Sequence, residues 1–303
     1  MAVLCMSPQV VTSHGRAWGL HGGPSFPQNG RSSQPLIRAF GIPHSRPRLP
    51  NESCVRVDRM SAWLHEDPRP LDWNGPVDRP FIRFSELALD RPIIDHLEQA
   101  ARRHRNRIAI RDAETALTFG ELWDGLSGLA ETLAAESKPE DLIGILLPPC
   151  PMFALAMFAC LAAGRPFVSL DTHYPREWLD HVLEEARPTL VVTREGGLPC
   201  TESRAPAMRV VLVTGLPKPA DASWRPARLG LDEPACVLFT SGSTGRPKGI
   251  VNSQRNLLQR VAQSINAAHI NADDKLLTLA SPCTIVGVRD VVTALYGDRK
   301  SVV

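Results

Sequence analysis

Six consecutive apolar residues, Leu142-Ile143-Gly144-Ile145-Leu146-Leu147, constrain the fold of this chain more than any other stretch. Such a run reads as a strand covered on both faces, and strands of that kind belong to parallel sheets flanked by helices. The neighbouring pattern agrees. A second apolar run from Pro151 to Ala163 has helix length, Gly164 stands where a helix ends, and Phe167-Val168-Ser169-Leu170 is again strand-like. Tyr174-Pro175 opens a helix carried by Leu179, Val182, Leu183 and Ala186. Pro188 ends it before the strand Leu190-Val191-Val192. Loops rich in Pro and Gly at 194–207 and 215–234 bracket the strand Val210-Val211-Leu212-Val213 and lead to the strand Ala235-Cys236-Val237-Leu238. Short apolar strands alternating with amphipathic helices spell βαβ units, so the fold class is α/β with parallel sheets covered by helices.

Upstream, Pro92 starts a helix with Ile93, Ile94, Leu97, Ala100 and Ala101 on one face. Arg102, Arg103, Arg105 and Arg107 read as its solvated cationic end. Ile108-Ala109-Ile110 is a short strand, and Thr118 with Glu121 has capping-box spacing ahead of a helix with Leu122, Leu126, Leu129, Ala130 and Leu133 inward. Downstream, Ile250-Val251 precedes a helix with Leu257, Leu258, Val261 and Ile265. Leu276 to Leu279 is a strand, and Val288, Val291, Val292 and Leu295 mark a last helix. Residues 1–59 are rich in Pro, Gly, Ser and Arg without apolar periodicity. They are expected to be disordered, or an extension upstream of a true start at Met60, with a transit peptide as a weaker third reading. From Met60 to Arg91 aromatics and prolines suggest an extended arm.

Hydrophobic residues at 43% and charged residues at 22% of 303 fit a soluble globular chain, and a net charge of +2 argues against a nucleic-acid partner held by charge. The seven cysteines are odd in number and form no Cys-x-x-Cys pair. Neither a metal site nor a disulfide framework is expected, and burial as small hydrophobes in a reducing cytoplasm fits them. No apolar run is long enough to cross a membrane, and the N-terminus lacks the order of a secretory signal.

The chemistry concentrates in Thr240-Ser241-Gly242-Ser243-Thr244-Gly245-Arg246-Pro247-Lys248-Gly249. Glycines let backbone N–H groups approach a ligand closely, and consecutive N–H groups in a turn make an anion-sized hollow. Thr240, Ser241, Ser243 and Thr244 add hydroxyls, and Lys248 adds a compact positive charge, a set suited to a polyphosphate. The common P-loop needs four residues between its glycines, whereas two separate Gly242 from Gly245. From composition alone a simple surface loop competes with phosphate binding.

The ordered string resembles the phosphate-loop signature of the adenylate-forming superfamily. So do Leu117-Thr118-Phe119 with Glu121-Leu122, the segment from Leu161 to Asp171, and Tyr174-Pro175 with its helix; these are most similar to the adenylation domains of nonribosomal peptide synthetases. The resemblance implies the N-terminal part of the large domain of an adenylate-forming enzyme, over 60–297. It implies ATP with Mg2+ as cofactors, a small carboxylic acid as substrate, and a phosphopantetheine carrier or coenzyme A as thiol acceptor. Thr240, Ser241, Gly242, Ser243, Thr244, Gly245 and Lys248 would hold the β- and γ-phosphates. Acyl-CoA synthetase and non-catalytic nucleotide-binding remnant are the competing readings. Asp171 reads as a strand-closing cap rather than a catalytic acid. Gln254 stands where many relatives carry His and cannot titrate. Ile285 stands where amino-acid-activating relatives carry an Asp, which disfavours an ordinary α-amino acid as substrate.

The resemblance stops short of the family's magnesium, adenine and ribose motifs and of its mobile C-terminal domain. Asp298 to Val303 changes character and reads as a non-native tail, as if the reading frame were cut. No catalytic residue of the family then falls within the chain. Expected on this reading are weak or absent ATP binding and no carboxylate-dependent ATP–pyrophosphate exchange; exchange above background would refute it.

Overall fold

The computed structural model of the protein describes residues 3–5, 84–197, 208–227, 229–241, 247–272 and 274–296. Of residues 1–59 only Val3–Cys5 falls among them, and the arm from Met60 to Arg83 and the tail 298–303 lie outside. The strands are β1 (Val3–Cys5), β2 (Ile108–Arg111), β3 (Ala116–Thr118), β4 (Ile143–Leu146), β5 (Phe167–Leu170), β6 (Leu190–Thr193), β7 (Arg209–Leu212), β8 (Pro234–Ser241), β9 (Pro247–Ser253) and β10 (Leu276–Thr278). The helices are α1 (Ile93–Arg103), α2 (Phe119–Glu136), α3 (Pro151–Ala162), α4 (Arg176–Ala186), α5 (Gln254–Ala267) and α6 (Ile285–Leu295).

One six-stranded sheet, in the order β7-β6-β4-β5-β8-β9, positions the site. Strands β4 to β8 pair in parallel, and β9 closes one edge antiparallel to β8. Strand alternation splits the apolar side chains between its two faces. Ile143, Ile145, Phe167, Leu190, Val192, Cys236 and Leu238 enter one core with α3. Leu146, Val168, Leu170, Val191 and Val237 enter a second core with Leu179, Val182 and Ala186 of α4. Burial on both faces is why β4 needed no polar residue. A second sheet, β10-β1-β2-β3, contributes to the first core through Ala109, Ile110 and Leu117.

Every residue of α3 except Met152 is buried. Its chain end turns through Gly164 at φ +72°, the left-handed conformation expected of a helix-terminating glycine. Arg165 then locks that end. Its Nε donates to Ser137 Oγ at 2.9 Å and its guanidinium to the carbonyls of Ser137 and Ala163 at 2.8 and 2.9 Å, where α2 and α3 expose unpaired acceptors. The capping box of α2 forms as its spacing predicts, Glu121 N donating to Thr118 Oγ1 at 3.1 Å and Thr118 N to Glu121 Oε2 at 2.8 Å. The loop 215–227 is a strap along α2. Gly128 lets the Lys218 carbonyl approach so closely that a Cβ would lie 1.8 Å from its oxygen.

Three local readings change. Glu86–Asp90 is a 3-10 turn capped by Ser85, not extended arm. Ala116–Thr118 pairs back on β2 as an antiparallel strand that its three residues were too few to announce. The stretch Pro247–Ser253 is one long strand rather than a loop end. Among the described cysteines, Cys160, Cys236 and Cys283 are buried as expected. Among the described residues no helix is long and apolar enough to cross a membrane.

His96 of α1 gives the core a pH dependence. It is buried against the Tyr296 ring at 4.4 Å, with Nε2 donating to the Ala88 carbonyl at 3.0 Å. Burial lowers its pKa from 6.5 to about 4. The unfolded chain takes up this proton near 6.5 and the folded chain only near 4. The stability is therefore present above 6.5, declines as pH falls, and is fully lost below about 4, a change of about 3 kcal/mol. Urea unfolding between pH 8 and 4 should show this decline, and His96→Gln should flatten that part of it.

Candidate functional site

The two ends of the Gly/Ser/Thr/Lys string lie on the paired strands β8 and β9, at the carboxyl edge of the parallel strands, where open α/β sheets bind ligands. Phe239 pairs with Gly249, Thr240 with Lys248, and Ser241 with Pro247. Gly242, Ser243, Thr244, Gly245 and Arg246 lie outside the described residues. Both shoulders of the string are therefore ladder, and the stretch between them, where the anion-sized hollow is expected, is the part outside the described residues. The cause is local. Amides at a sheet edge need partners, and Val251 and Phe239 pack on the α4 side of the sheet. Gly249 makes this neck close, since a Cβ there would meet the Phe239 ring at 3.1 Å. Thr240 and Lys248 are both exposed on the neck.

Beside the neck, β5 ends at Leu170 and Asp171 follows it. Phe167 pairs with Cys236 and Val168 with Val237, so by register Asp171 leaves the sheet level with Thr240. Asp171 is buried, 5% exposed, yet has three donors. His173 N and His173 Nδ1 donate to Oδ1 at 2.9 and 2.8 Å, and Ser281 Oγ donates to Oδ2 at 2.6 Å. It is thus the turn cap that the sequence suggested, with a second partner 110 residues away. Ser281 Oγ accepts from Cys283 N at 3.2 Å, and Thr284 caps α6 by accepting from Gly287 N at 3.2 Å. Gly287 is required there, because a Cβ would meet the Ser281 carbonyl oxygen at 2.2 Å. Burial raises the Tyr174 hydroxyl above its usual range and pushes the Cys283 thiol up to about 12, so both are neutral near pH 7.

Ser, His and Asp here are not wired as a hydrolase triad. In a triad the histidine stands between the other two. Here Asp171 does, and a serine whose proton already goes to a carboxylate is not activated by the imidazole. The arrangement orients groups and joins segments instead. Two segments meet at this edge, the loop from Asp171 to Tyr174 and the turn from Ser281 to Thr284, and the hairpin neck lies on the neighbouring strand pair.

Gln254 is elsewhere. It is 2% exposed, and its Oε1 accepts from Ile93 N at 3.0 Å, tying the start of α5 to the start of α1. Ile285 opens α6, directly after the Thr284 cap. Sequence reasoning gave no role to His173 or Ser281, because no spacing couples positions so far apart; the Asp-x-His order after an apolar strand was the local signal. The network should behave as one unit. Asp171→Ala, which takes the acceptor from three donors, should cost about 2 to 3 kcal/mol in urea unfolding, and Ser281→Ala added to it should cost much less than alone.

The family model described as AMP-binding enzyme matches residues 97–303. The phosphinothricin tripeptide synthetase PhsC of Streptomyces viridochromogenes is 34% identical over 207 residues, 65% of this chain and 18% of that protein. The o-succinylbenzoate CoA synthetase of Bacillus subtilis, solved with its acyl-adenylate intermediate, superposes with a TM-score of 0.60 at 26% identity, over 69% of this chain and 55% of its own. The nonribosomal peptide synthetase FmoA3, solved with AMPPNP bound, superposes with a TM-score of 0.58 at 25% identity, over 68% of this chain and 22% of its own. The chain spans between 1% and 18% of the length of the curated relatives it matches. With a family match over two thirds of its length, this chain belongs to the AMP-binding enzyme family.

Proposed function

We propose that this chain is the triphosphate-holding part of an ATP-dependent ligase that adenylates a small carboxylic acid. The observation that carries the reading is the hairpin neck, with Lys248 exposed opposite Thr240 at the carboxyl edge of a parallel sheet, in a chain of the AMP-binding family. In the reaction a carboxylate oxygen attacks the α-phosphorus. The bond to the bridging oxygen breaks, and pyrophosphate leaves with that electron pair. Hydroxyls and amides from Thr240, Ser241, Gly242, Ser243, Thr244 and Gly245, with the Lys248 ammonium, would spread the charge on the leaving group. The acyl-adenylate would then pass to a phosphopantetheine thiol on a carrier protein, or to coenzyme A.

Ile285 at the start of α6 favours an acid without an α-ammonium group, since it offers that charge no partner. Among the described residues no group of three or more His, Cys, Asp or Glu is placed to hold a metal ion, so no step is assigned to magnesium. A cytoplasmic site of action fits the free cysteines among the described residues, of which Cys160, Cys236 and Cys283 are buried.

Equilibrium dialysis with labelled ATP tests the reading. Wild-type chain should bind ATP weakly, and Lys248→Ala should weaken that binding about tenfold. Equal binding by the two proteins would overturn the assignment of the hairpin.

A further inference from the structure

We propose that His173 is a further phosphate-contacting residue of the nucleotide site, with buried Asp171 as its positioning residue. This deepens the reading of the hairpin as a triphosphate holder and rests on it. The first observation is the fixed tautomer. A carboxylate only accepts hydrogen bonds, so the 2.8 Å contact from Nδ1 to Asp171 Oδ1 puts a proton on Nδ1. Nε2 sits across the ring from that contact and is directed away from the buried acid. The second observation is the burial contrast. The Asp171 side chain is 7% exposed and the His173 side chain 44%, so a buried anchor presents a half-open ring. The third is place. Carried forward, the β5–β8 register puts Asp171 level with Thr240, whose partner across the neck is Lys248.

The chemistry follows from those positions. With Nδ1 engaged by Asp171, Nε2 is the ring nitrogen left to meet a ligand. A phosphate oxygen arriving there favours the imidazolium, which then donates from Nδ1 to the carboxylate and from Nε2 to the phosphate. The proton comes from solvent. Around Asp171 the other titratable groups are Tyr174 in the same loop and Cys283 from the turn before α6, and burial keeps both neutral near pH 7. Lys248 on the neck supplies the remaining positive charge. Ser281, held by the other oxygen of Asp171, keeps the acid from turning away from the ring.

Imidazole 15N spectra of the full chain, titrated with inorganic pyrophosphate and separately with ATP, test this. The His173 signals are those missing from His173→Ala. Pyrophosphate should move Nε2 of His173 toward the imidazolium position. His173→Ala should weaken pyrophosphate binding about tenfold in a chain that still shows a cooperative melting transition. Asp171→Asn should lose the fixed Nδ1–H tautomer in the free protein. If Lys248→Ala weakens binding and His173→Ala does not, His173 has no such role and the hairpin reading stands. Weakening by His173→Ala alone keeps His173 and removes the hairpin. A response to ATP but not to pyrophosphate overturns the phosphate assignment, and no response to either overturns both readings.

Discussion

A helix with no wet face organises this protein. Eleven of the twelve residues of α3 are buried, so it has to be enclosed from every side. The parallel sheet covers one side through Ile143, Ile145 and Phe167, and α2 and α1 cover the other through Leu122, Leu126, Leu97 and Ala100. Burial of this kind contributes about 25 cal/mol per Å² of apolar surface, so displacing any one layer would expose the rest. The chain accordingly closes α3 with care. Gly164 turns in a conformation that a side chain would strain, and Arg165 satisfies carbonyls that two helix ends leave open.

That enclosure decides where chemistry can occur. With both faces of the sheet covered, the accessible backbone lies at its carboxyl edge, where strands give way to loops. Polar residues cluster there. Asp171, almost fully buried at the end of β5, accepts from the loop that follows it and from Ser281 ahead of α6. A buried carboxylate without donors would be costly, so the same requirement that satisfies it also fastens two distant loops together beside the hairpin.

The hairpin lies at the outer edge of the six-stranded sheet. Its neck is ordinary antiparallel ladder, tight because Gly249 makes room for the Phe239 ring. This neck is the outermost strand pair at one edge of the sheet. Pairing of this kind limits how far Lys248 can wander from the end of β5, and that limit is what makes convergence with His173 geometrically reasonable.

Local patterning determined much of this protein. The apolar runs at 142–147 and 151–163, the Thr118–Glu121 cap and the Gly164 turn depend on neighbours in sequence, and each took its expected form. The ordered string around Lys248 also pointed to the family. Tertiary structure alone decided what depends on pairing across distance. It drew both shoulders of the loop into a ladder and laid 215–227 along α2 at Gly128. It sank Gln254 between two helices and joined Asp171 to Ser281 across 110 residues. The physical reason is the same each time: an edge amide, a buried amide side chain or a buried carboxylate must find a partner, and which partner it finds is set by how the layers stack.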